Sequence, residues 1–280
     1  MVLGLLVAAV FTVQAQRVET GFLDRTVSVA GATYRYQVYV PANYASQPRW
    51  PVILFLHGAG ERGADGLIQT NVGLAPAIRQ APGRFPAIVI FPQVPTDSQW
   101  VGAPADAALA ALAATQNEFH TDPARVYLTG LSMGGHGTWY IAYRHPELFA
   151  AIAPLCGWVV DMDRFRGSVP VVPAENGAAL PALASRLGKL PIWIFHGEVD
   201  GAVPVAGSRE PAAALKAAGA NVQYTEFLGM NHNVWDATYG SDEFTRWLFA
   251  QHRLSCSRCS SRHRSRSCPS RRRPPPPGSV

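Results

Sequence analysis

The sequence predicts an α/β fold, in which a single domain holds a mostly parallel, twisted sheet of about eight strands with helices on both faces. Short apolar runs that suit strands buried on both faces recur along the chain, and stretches compatible with helices lie between them. The chain has 280 residues, of which 48% are hydrophobic, so it is long enough for one domain with a substantial core.

The predicted elements alternate along the chain. The first two strands, around residues 25–29 and 33–40, are expected to pair with each other. The later strands are predicted at 52–56, 87–91, 126–128, 150–153, 192–195 and 221–227. The helices are predicted at 105–118, 136–144, 211–218 and 243–252. Segment 159–190 mixes prolines with short apolar runs and permits no clear assignment.

The first 15 residues are typical of an export signal. Residues 2–13 are almost wholly apolar, and Val13 and Ala15 place small side chains at the −3 and −1 positions of a cleavage site. The run is too short to span a bilayer comfortably, but it lacks the usual basic residue near Met1, so a membrane anchor or an extra strand remains the alternative. We therefore expect a secreted or periplasmic protein with no membrane contact after cleavage.

Residues 255–280 differ in composition from the predicted globular domain, residues 16–254. They carry seven arginines and no acidic residue, and without them the chain has 17 basic and 19 acidic residues. The net charge of +5 therefore reflects this tail, and nucleic acid is not an expected partner of the domain. The tail is rich in Ser, Arg, Cys and Pro and is expected to be disordered; binding of RNA or an acidic surface is the alternative.

The cysteines do not predict a metal site. Cys256 and Cys259 have C-x-x-C spacing, but no second pair completes a zinc site. Cys156 is the only cysteine of the predicted domain, and it follows an apolar run, which favours packing as a small buried side chain. We expect neither a metal nor a cofactor.

A serine motif follows the predicted strand at 126–128. The sequence there continues as G-x-S-x-G, with Ser132 at its centre. This is the pattern of the nucleophile elbow of α/β-hydrolases, a sharp strand-to-helix turn that exposes the serine hydroxyl above the sheet. Gly130 and Gly134 let the turn close, and the N–H of Met133 is left to face a reacting carbonyl oxygen. The alternative is a glycine-rich turn with an ordinary serine.

A nucleophilic serine needs a base and a carboxylate, which in this fold follow it in the order acid, then histidine. Asp200 comes after the predicted strand at 192–195 and is the chosen acid, with Glu198 as its competitor. Asp161 and Asp163, after the preceding strand, are further alternatives.

The base is expected in the loop after the last strand, where His232 lies. His252 belongs to the terminal helix and His263 to the tail, so neither is easily held beside Ser132.

A second oxyanion donor is expected from the loop after an early central strand. His57-Gly58-Ala59-Gly60 fits, and we assign this donor to the N–H of Ala59, with those of Gly58 and Gly60 as the alternatives. His57 precedes Ser132 in the chain, so we expect it to brace the loop by hydrogen bonding rather than to act as the base.

Three tryptophans follow predicted strand ends, where a pocket mouth would form. They are Trp100, Trp158 and Trp235. Together they favour an apolar or aromatic group in the substrate, although each one alone suits core or rim packing better than a functional role.

These motifs together resemble a known group of proteins. The loop from His57 to Gly63 (H-G-A-G-E-R-G), joined to G-L-S-M-G-G at 130–135, H-G-E-V-D at 196–200 and N-H-N-V-W at 231–235, is similar to secreted serine esterases often called predicted peptidases. These are relatives of feruloyl esterases, polyhydroxybutyrate depolymerases and the prolyl-oligopeptidase catalytic domain.

The resemblance implies hydrolysis of small or polymeric esters through an acyl-enzyme, without a cofactor. A polyester depolymerase, a serine peptidase with the same triad, and a non-catalytic binding protein are the alternatives. The oligomeric state is not predicted.

Overall fold

The computed structural model describes residues 18–160 and 169–253, and its centre is one eight-stranded sheet. The strand order is β1-β2-β4-β3-β5-β6-β7-β8. The predicted export signal and the predicted disordered tail lie outside the described residues, and so do Asp161, Asp163 and His263.

The strands and helices follow each other in the predicted alternation. The strands are β1 (Gly21–Val29), β2 (Ala32–Val40), β3 (Trp50–Leu56), β4 (Ile88–Pro92), β5 (Thr121–Leu131), β6 (Ala151–Leu155), β7 (Ile192–Gly197) and β8 (Val222–Phe227). The helices are α1 (Leu74–Gln80), α2 (Ala103–Glu118), α3 (Met133–Arg144), α4 (Ala179–Leu187), α5 (Ala206–Ala217), α6 (Trp235–Tyr239) and α7 (Asp242–Ala250).

The sheet is antiparallel only at one side. β1 pairs with β2 as a hairpin and β2 pairs with β4, both antiparallel, while all the remaining neighbours from β4 to β8 are parallel. The carboxyl ends of the parallel strands therefore meet at one edge, which is where reactive groups of such sheets collect. The predicted fold class is confirmed.

Each face of the sheet is covered by its own set of helices. On one face, α2, α3, α4 and α5 bury residues that include Ala108, Trp139, Leu183 and Leu215 against the strands. On the other face, α1, α6 and α7 bury residues that include Ile78, Tyr239 and Phe244. The inner parallel strands β3, β4, β6 and β7 are buried along their whole length, which explains their mostly apolar sequences, whereas the edge strand β8 is only half-buried and is more polar.

Some helix boundaries differ from the sequence-based prediction. Helix α5 begins at Ala206, five residues before the predicted start at Pro211, so that this proline lies inside the helix. A proline is most compatible with the first helical turn, but burial of Pro211, Ala212 and Leu215 against the sheet outweighs that preference here. Helices α1, α4 and α6 have nine residues or fewer and were missed, because so short a segment shows little periodicity.

No helix within residues 18–160 and 169–253 combines the length and the apolar character needed to cross a bilayer.

Gly134, in the first turn of α3, offers a direct test of how tightly this helix sits against β3. A Cβ atom added there would lie 1.9 Å from the carbonyl oxygen of Leu56, which is held in the sheet and cannot easily retreat. We expect Gly134→Ala to lower the free energy of unfolding by about 3 kcal/mol or more. Gly83→Ala is the matched control, because a Cβ there has no neighbour within 4 Å. Equal thermal unfolding midpoints for the two variants would contradict the packing described.

Candidate active site

Ser132 lies on the turn between β5 and α3, with its side chain partly exposed. Its φ is 55°, in the left-handed region that residues other than glycine rarely adopt. Its N–H donates to the carbonyl of Leu155 at 2.8 Å. A Cβ at Gly130 would lie 2.5 Å from the carbonyl oxygen of Gly134, so the turn cannot close as it does with a larger residue there. This strained, tight strand-to-helix turn has the geometry of a nucleophile elbow.

His232 and Asp200 are hydrogen-bonded to each other. His232 Nδ1 lies 2.6 Å from Asp200 Oδ2, and Asp200 follows β7 while His232 follows β8. An ionised carboxylate only accepts hydrogen bonds, so Nδ1 carries the proton of the neutral imidazole. The Nε2 atom of His232 is then the unprotonated nitrogen that can accept a proton. The His232 side chain is 22% exposed, whereas that of Asp200 is fully buried.

The environment of Asp200 favours its charged form. Burial acts to raise the pKa of this carboxyl, but hydrogen bonds from His196, His232 and the N–H of Val203 outweigh burial and hold the pKa well below its ordinary value. Oδ1 accepts from the N–H groups of Ala202 at 2.8 Å and Val203 at 2.9 Å. Asp200 is therefore ionised at neutral pH and presents a fixed oxygen to His232.

The segment Leu155–Cys156 at the end of β6 touches both Ser132 and the loop of His232. Leu155 accepts the N–H of Ser132, and the Cys156 thiol donates to the carbonyl of His232 at 3.3 Å. Cys156 is buried as predicted, but it also serves as a hydrogen-bond donor. The loops that carry Ser132 and His232 are thus held against the same two residues.

Asn231 joins the loop of the acid to the loop of the base. Its Oδ1 atom accepts from the N–H groups of Gly201 and His232, each at 2.8 Å. A Cβ at Gly197 would lie 2.1 Å from the carbonyl oxygen of Asn231, so the two loops are in direct backbone contact there. The position of His232 relative to Asp200 is therefore set by backbone as well as by side-chain contacts.

The other candidates for acid and base are engaged elsewhere or lie apart. Glu198 is exposed, and its Oε2 atom accepts the N–H of Gly229 at 2.8 Å. His252 is exposed beyond the end of α7. The structure thus brings Asp200, and not Glu198, to His232.

His57 braces the loop that follows β3. Its Nε2 atom accepts the N–H of Val94 at 3.0 Å, so Nδ1 carries the proton and donates to the carbonyl of Gly58 at 2.6 Å. The ring is 1% exposed, and its burial, assisted by the nearby Arg62 charge, lowers the pKa of His57 to about 4. With both nitrogens engaged, His57 is not available as a base.

The two predicted oxyanion donors belong to segments next to Ser132. Met133 is the first residue of α3, and Ala59 begins a short 3-10 helix, Ala59–Glu61. A Cβ built on Gly58 would lie 3.7 Å from the Cβ of Ser132, which places this loop beside the serine. The roles of the Met133 and Ala59 N–H groups as oxyanion donors stay predictions.

The three tryptophans do not form the expected pocket wall together. Trp100 is 1% exposed and donates from its indole N–H to the carbonyl of His57 at 2.9 Å, so it supports the loop after β3. Trp158 is 4% exposed and stacks on His136 with ring centroids 4.7 Å apart. Trp235 is the partly exposed one of the three, and its ring stands edge-on to His232 at a centroid distance of 5.4 Å. The prediction for Trp100 and Trp158 is corrected to core packing.

A sequence profile of the prolyl oligopeptidase family matches residues 96–254, more than half of the chain. The chain belongs to this family. The matched segment contains Ser132, Asp200 and His232 but begins after the loop of His57.

Two solved structures and one further protein sequence are similar to this chain. The solved structure of a thermostable esterase superposes with a TM-score of 0.71 and is 33% identical, over 83% of this chain and 63% of that chain. A ferulic acid esterase from Anaeromyces mucronatus superposes with a TM-score of 0.59 over 85% of this chain and 93% of that chain; its identity of 16% makes this a likeness of fold. A protein of Arthroderma benhamiae called an uncharacterized secreted protein is 27% identical over 231 residues, 73% of this chain.

The chain is shorter than the first of these relatives. It spans 23% of the length of the Arthroderma benhamiae protein and 63% of the thermostable esterase chain.

One group of possible metal ligands lies beside the acid. Donor atoms of Cys156, His196 and Asp200 lie within 4.8 Å of one another. Burial and the neighbouring Asp200 charge raise the pKa of the Cys156 thiol far above its ordinary value, so the thiolate that a metal requires is disfavoured. His196 and Asp200 already exchange hydrogen bonds with their neighbours, so this donor set suits a hydrogen-bonded cluster better than a metal site.

Sequence reasoning missed Asn231, Cys156 and His196 as neighbours of the candidate triad. Asn231 is adjacent to His232, and His196 lies four residues before Asp200, so both positions were in the motifs already quoted. What was missing is the side-chain direction at a strand end, which depends on the register of the sheet and is not encoded in spacing.

The depressed pKa of His57 predicts a pH dependence of stability. Unfolded, this histidine titrates near pH 6.5, whereas folded it titrates near 4, so the unfolded state binds more protons between these values. Its contribution is complete above pH 6.5 and is lost as the pH falls towards 4, by about 3 kcal/mol in total. In urea unfolding at pH 7 and pH 4, His57→Gln should show a correspondingly smaller loss than the wild type. Equal losses in both proteins would contradict the buried, neutral assignment.

Proposed function

We propose that this chain is an exported serine carboxylesterase that hydrolyses esters through an acyl-enzyme. The observation that carries the proposal is the combination of Ser132 on its strained turn with the His232–Asp200 pair at the same edge of the sheet. Membership of the prolyl oligopeptidase family and the 33% identity to a thermostable esterase support hydrolysis as the reaction class.

In the proposed reaction, Ser132 Oγ attacks the ester carbonyl while His232 Nε2 accepts its proton. Asp200, ionised and hydrogen-bonded to Nδ1, stabilises the imidazolium that forms. The N–H groups of Met133 and Ala59 hold the developing oxyanion. His232 then returns the proton to the leaving alcohol, and a water molecule activated by the same nitrogen releases the acid.

The surface around the candidate site favours apolar or aromatic substrate groups. Trp235 presents its ring beside His232, and two large apolar side chains are exposed on the loops of the acid and the base. Val199 is 56% exposed next to Asp200, and Leu228 is 79% exposed after β8. The N–H of Val199 donates to the carbonyl of Met230, so the two loops lie side by side. These residues offer apolar area to a substrate at little cost in desolvation.

The same exposed residues favour a second candidate function, hydrolysis of an insoluble polyester. A polymer surface needs apolar side chains that project outward, as Val199 and Leu228 do, rather than an enclosed pocket. The two candidates differ in what a double Val199→Ser, Leu228→Ser variant would do. Turnover of a soluble short-chain ester should persist, while turnover of a polyester film should fall with the loss of adsorption.

A panel of substrates tests the proposal. It contains short-chain p-nitrophenyl esters, methyl ferulate, a polyester film and a peptide amide, each with wild type and Ser132→Ala. We expect serine-dependent turnover of esters and little turnover of the amide, since amide hydrolysis needs a better-protonated leaving group. Turnover of the peptide alone would replace the esterase by a peptidase with the same triad. Ester turnover that is equal in both proteins would refute the proposed reaction.

Export is the other part of the proposal. The apolar residues 2–13, the small residues before position 16 and the likeness to a protein named as secreted support it. N-terminal sequencing of exported protein should find Gln16 first; recovery of Met1 would contradict cleavage after Ala15.

A further inference from the structure

His196 is a buried imidazole that the proposed reaction does not use. It lies on β7 with 0% exposure, and both of its nitrogens have polar partners. Nδ1 is 2.7 Å from Ser208 Oγ on α5, while Nε2 is 3.1 Å from Asp200 Oδ2 and 3.1 Å from the carbonyl oxygen of Val203. An apolar side chain would satisfy the packing of a strand end as well as a histidine does. The role of His196 therefore depends on its polar partners.

The partners fix the tautomer of His196. A carboxylate and a carbonyl oxygen can only accept, so Nε2 must carry the proton and donate to both. Nδ1 is then an acceptor, and Ser208, which is 1% exposed, donates its hydroxyl proton to it. The result is a buried chain of donors that runs from Ser208 through His196 to Asp200.

This chain ends on the same oxygen that His232 uses. Asp200 Oδ2 receives Nε2–H of His196 and Nδ1–H of His232, while Oδ1 receives two backbone N–H groups. With four donors the carboxylate cannot rotate without losing hydrogen bonds. Because Oδ2 is shared by the two imidazoles, the position that it presents to His232 depends in part on His196.

We propose that His196, oriented by Ser208, is a positioning residue that fixes the Asp200 carboxylate for His232. The inference rests on the proposed function, because it concerns the acid of the triad. His196 acts through Asp200 and does not reach the substrate.

Other titratable groups lie next to His196 and Asp200 and could also affect the pH profile of the enzyme. The Cys156 thiol lies beside Asp200, and Glu226 pairs with His196 across the β7–β8 register. Arg209 holds the Glu226 carboxylate at 2.5 Å and, together with Tyr224, lowers the pKa of Glu226 to about 2. The Cys156 thiol and the Glu226 carboxylate therefore do not titrate near neutrality, so neither accounts for a shift of the pH profile there.

Replacing His196 by leucine should lower kcat about ten- to a hundredfold and leave KM nearly unchanged, because a hydrogen bond to a charged group is lost away from the substrate. The loss of the N–H dipole also leaves more negative charge on Asp200, so His232 holds its proton more tightly. The acidic limb of the kcat/KM profile should therefore move to higher pH. A merely structural role would reduce the fraction of folded enzyme without moving this limb.

Two further variants sharpen the test. His196→Gln retains an amide N–H that reaches Asp200 and should recover most of the activity and the wild-type limb. Ser208→Ala removes the donor to Nδ1 and should show a smaller loss in the same direction. If His196→Leu does not fold, the kcat and the pH profile of His196→Gln and Ser208→Ala are compared with those of the wild type instead.

Thr129→Val is the matched control for the loss of a buried hydrogen bond. Its hydroxyl donates to the carbonyl of Ala153 at 2.6 Å in the neighbouring strands and has no contact with Asp200. We expect a lower melting temperature with kcat and the pH limb as in wild type.

A His196→Leu variant with wild-type kcat and pH limb would overturn the inference, as would a glutamine variant no better than leucine at equal stability. Ester turnover that survives Ser132→Ala would instead refute the proposed function itself, so the two failures are distinguishable.

Discussion

Ser132→Ala is expected to lower kcat for a soluble ester by about five to six orders of magnitude. In the proposed reaction the hydroxyl supplies the atom that forms the acyl-enzyme, and no other nucleophile shares its position on the turn after β5. The residual rate is then expected to reflect the proposed oxyanion donors and substrate binding alone. The measurement is the rate of p-nitrophenyl ester hydrolysis, with enzyme concentration set by absorbance and folding checked by circular dichroism.

Ser132→Gly is the matched control for folding. The φ of 55° costs energy for any residue with a Cβ, so glycine should relieve strain and raise the free energy of unfolding by about 1 kcal/mol. Activity should be lost as fully as in Ser132→Ala. A glycine variant that is both inactive and more stable separates the chemical role of the hydroxyl from any structural one. A glycine variant less stable than wild type would contradict the strained geometry of the turn.

Asp200→Asn is expected to lower kcat by about four orders of magnitude at neutral pH. An asparagine has nearly the same shape but carries no charge, and its NH₂ group can face His232 Nδ1, which then becomes an acceptor. The proton would move to Nε2, the nitrogen that has to accept a proton from Ser132. Steady-state kinetics should place the loss in kcat, because Asp200 is buried behind His232 and does not face the substrate.

Glu198→Gln is the control for this second prediction. It removes a carboxylate two residues away that accepts the N–H of Gly229 in a turn and lies outside the hydrogen bonds of Asp200. Its kcat should stay within a few-fold of wild type. A larger loss in Glu198→Gln than in Asp200→Asn would reverse the assignment of the acid.

The alternation of strands and helices, and the placement of the candidate acid and base after late strands, could be predicted because each depends on a local pattern. Strand β3 and residues 192–195 of β7 are continuously apolar, which is typical of parallel strands covered on both faces. The positions of Asp200 and His232 follow from the rule that loops after parallel strands meet at one edge. Neither conclusion requires knowledge of side-chain direction.

The surroundings of these residues could not be predicted, because they depend on three-dimensional packing. Trp100 follows a strand, where a pocket mouth was predicted, but it is buried and its indole N–H donates to the carbonyl of His57. His196 looks like part of a turn motif in the sequence, yet its ring points to Ser208, twelve residues away on α5. Helix α4 lies in the stretch that permitted no assignment, and packing of Leu183 and Leu187 against the sheet stabilises it.

Ser132 is proposed to be reactive because folding brings an imidazole and a carboxylate to its edge of the sheet. A fluorophosphonate loses fluoride only to an activated nucleophile, so treatment of the folded protein with this reagent, followed by peptide mass spectrometry, shows which hydroxyl is activated. We expect a single phosphonylated residue, Ser132, with labelling abolished by unfolding and strongly slowed in Asp200→Asn. A folded protein that stays unlabelled, or that carries the label on another residue, would contradict this proposal.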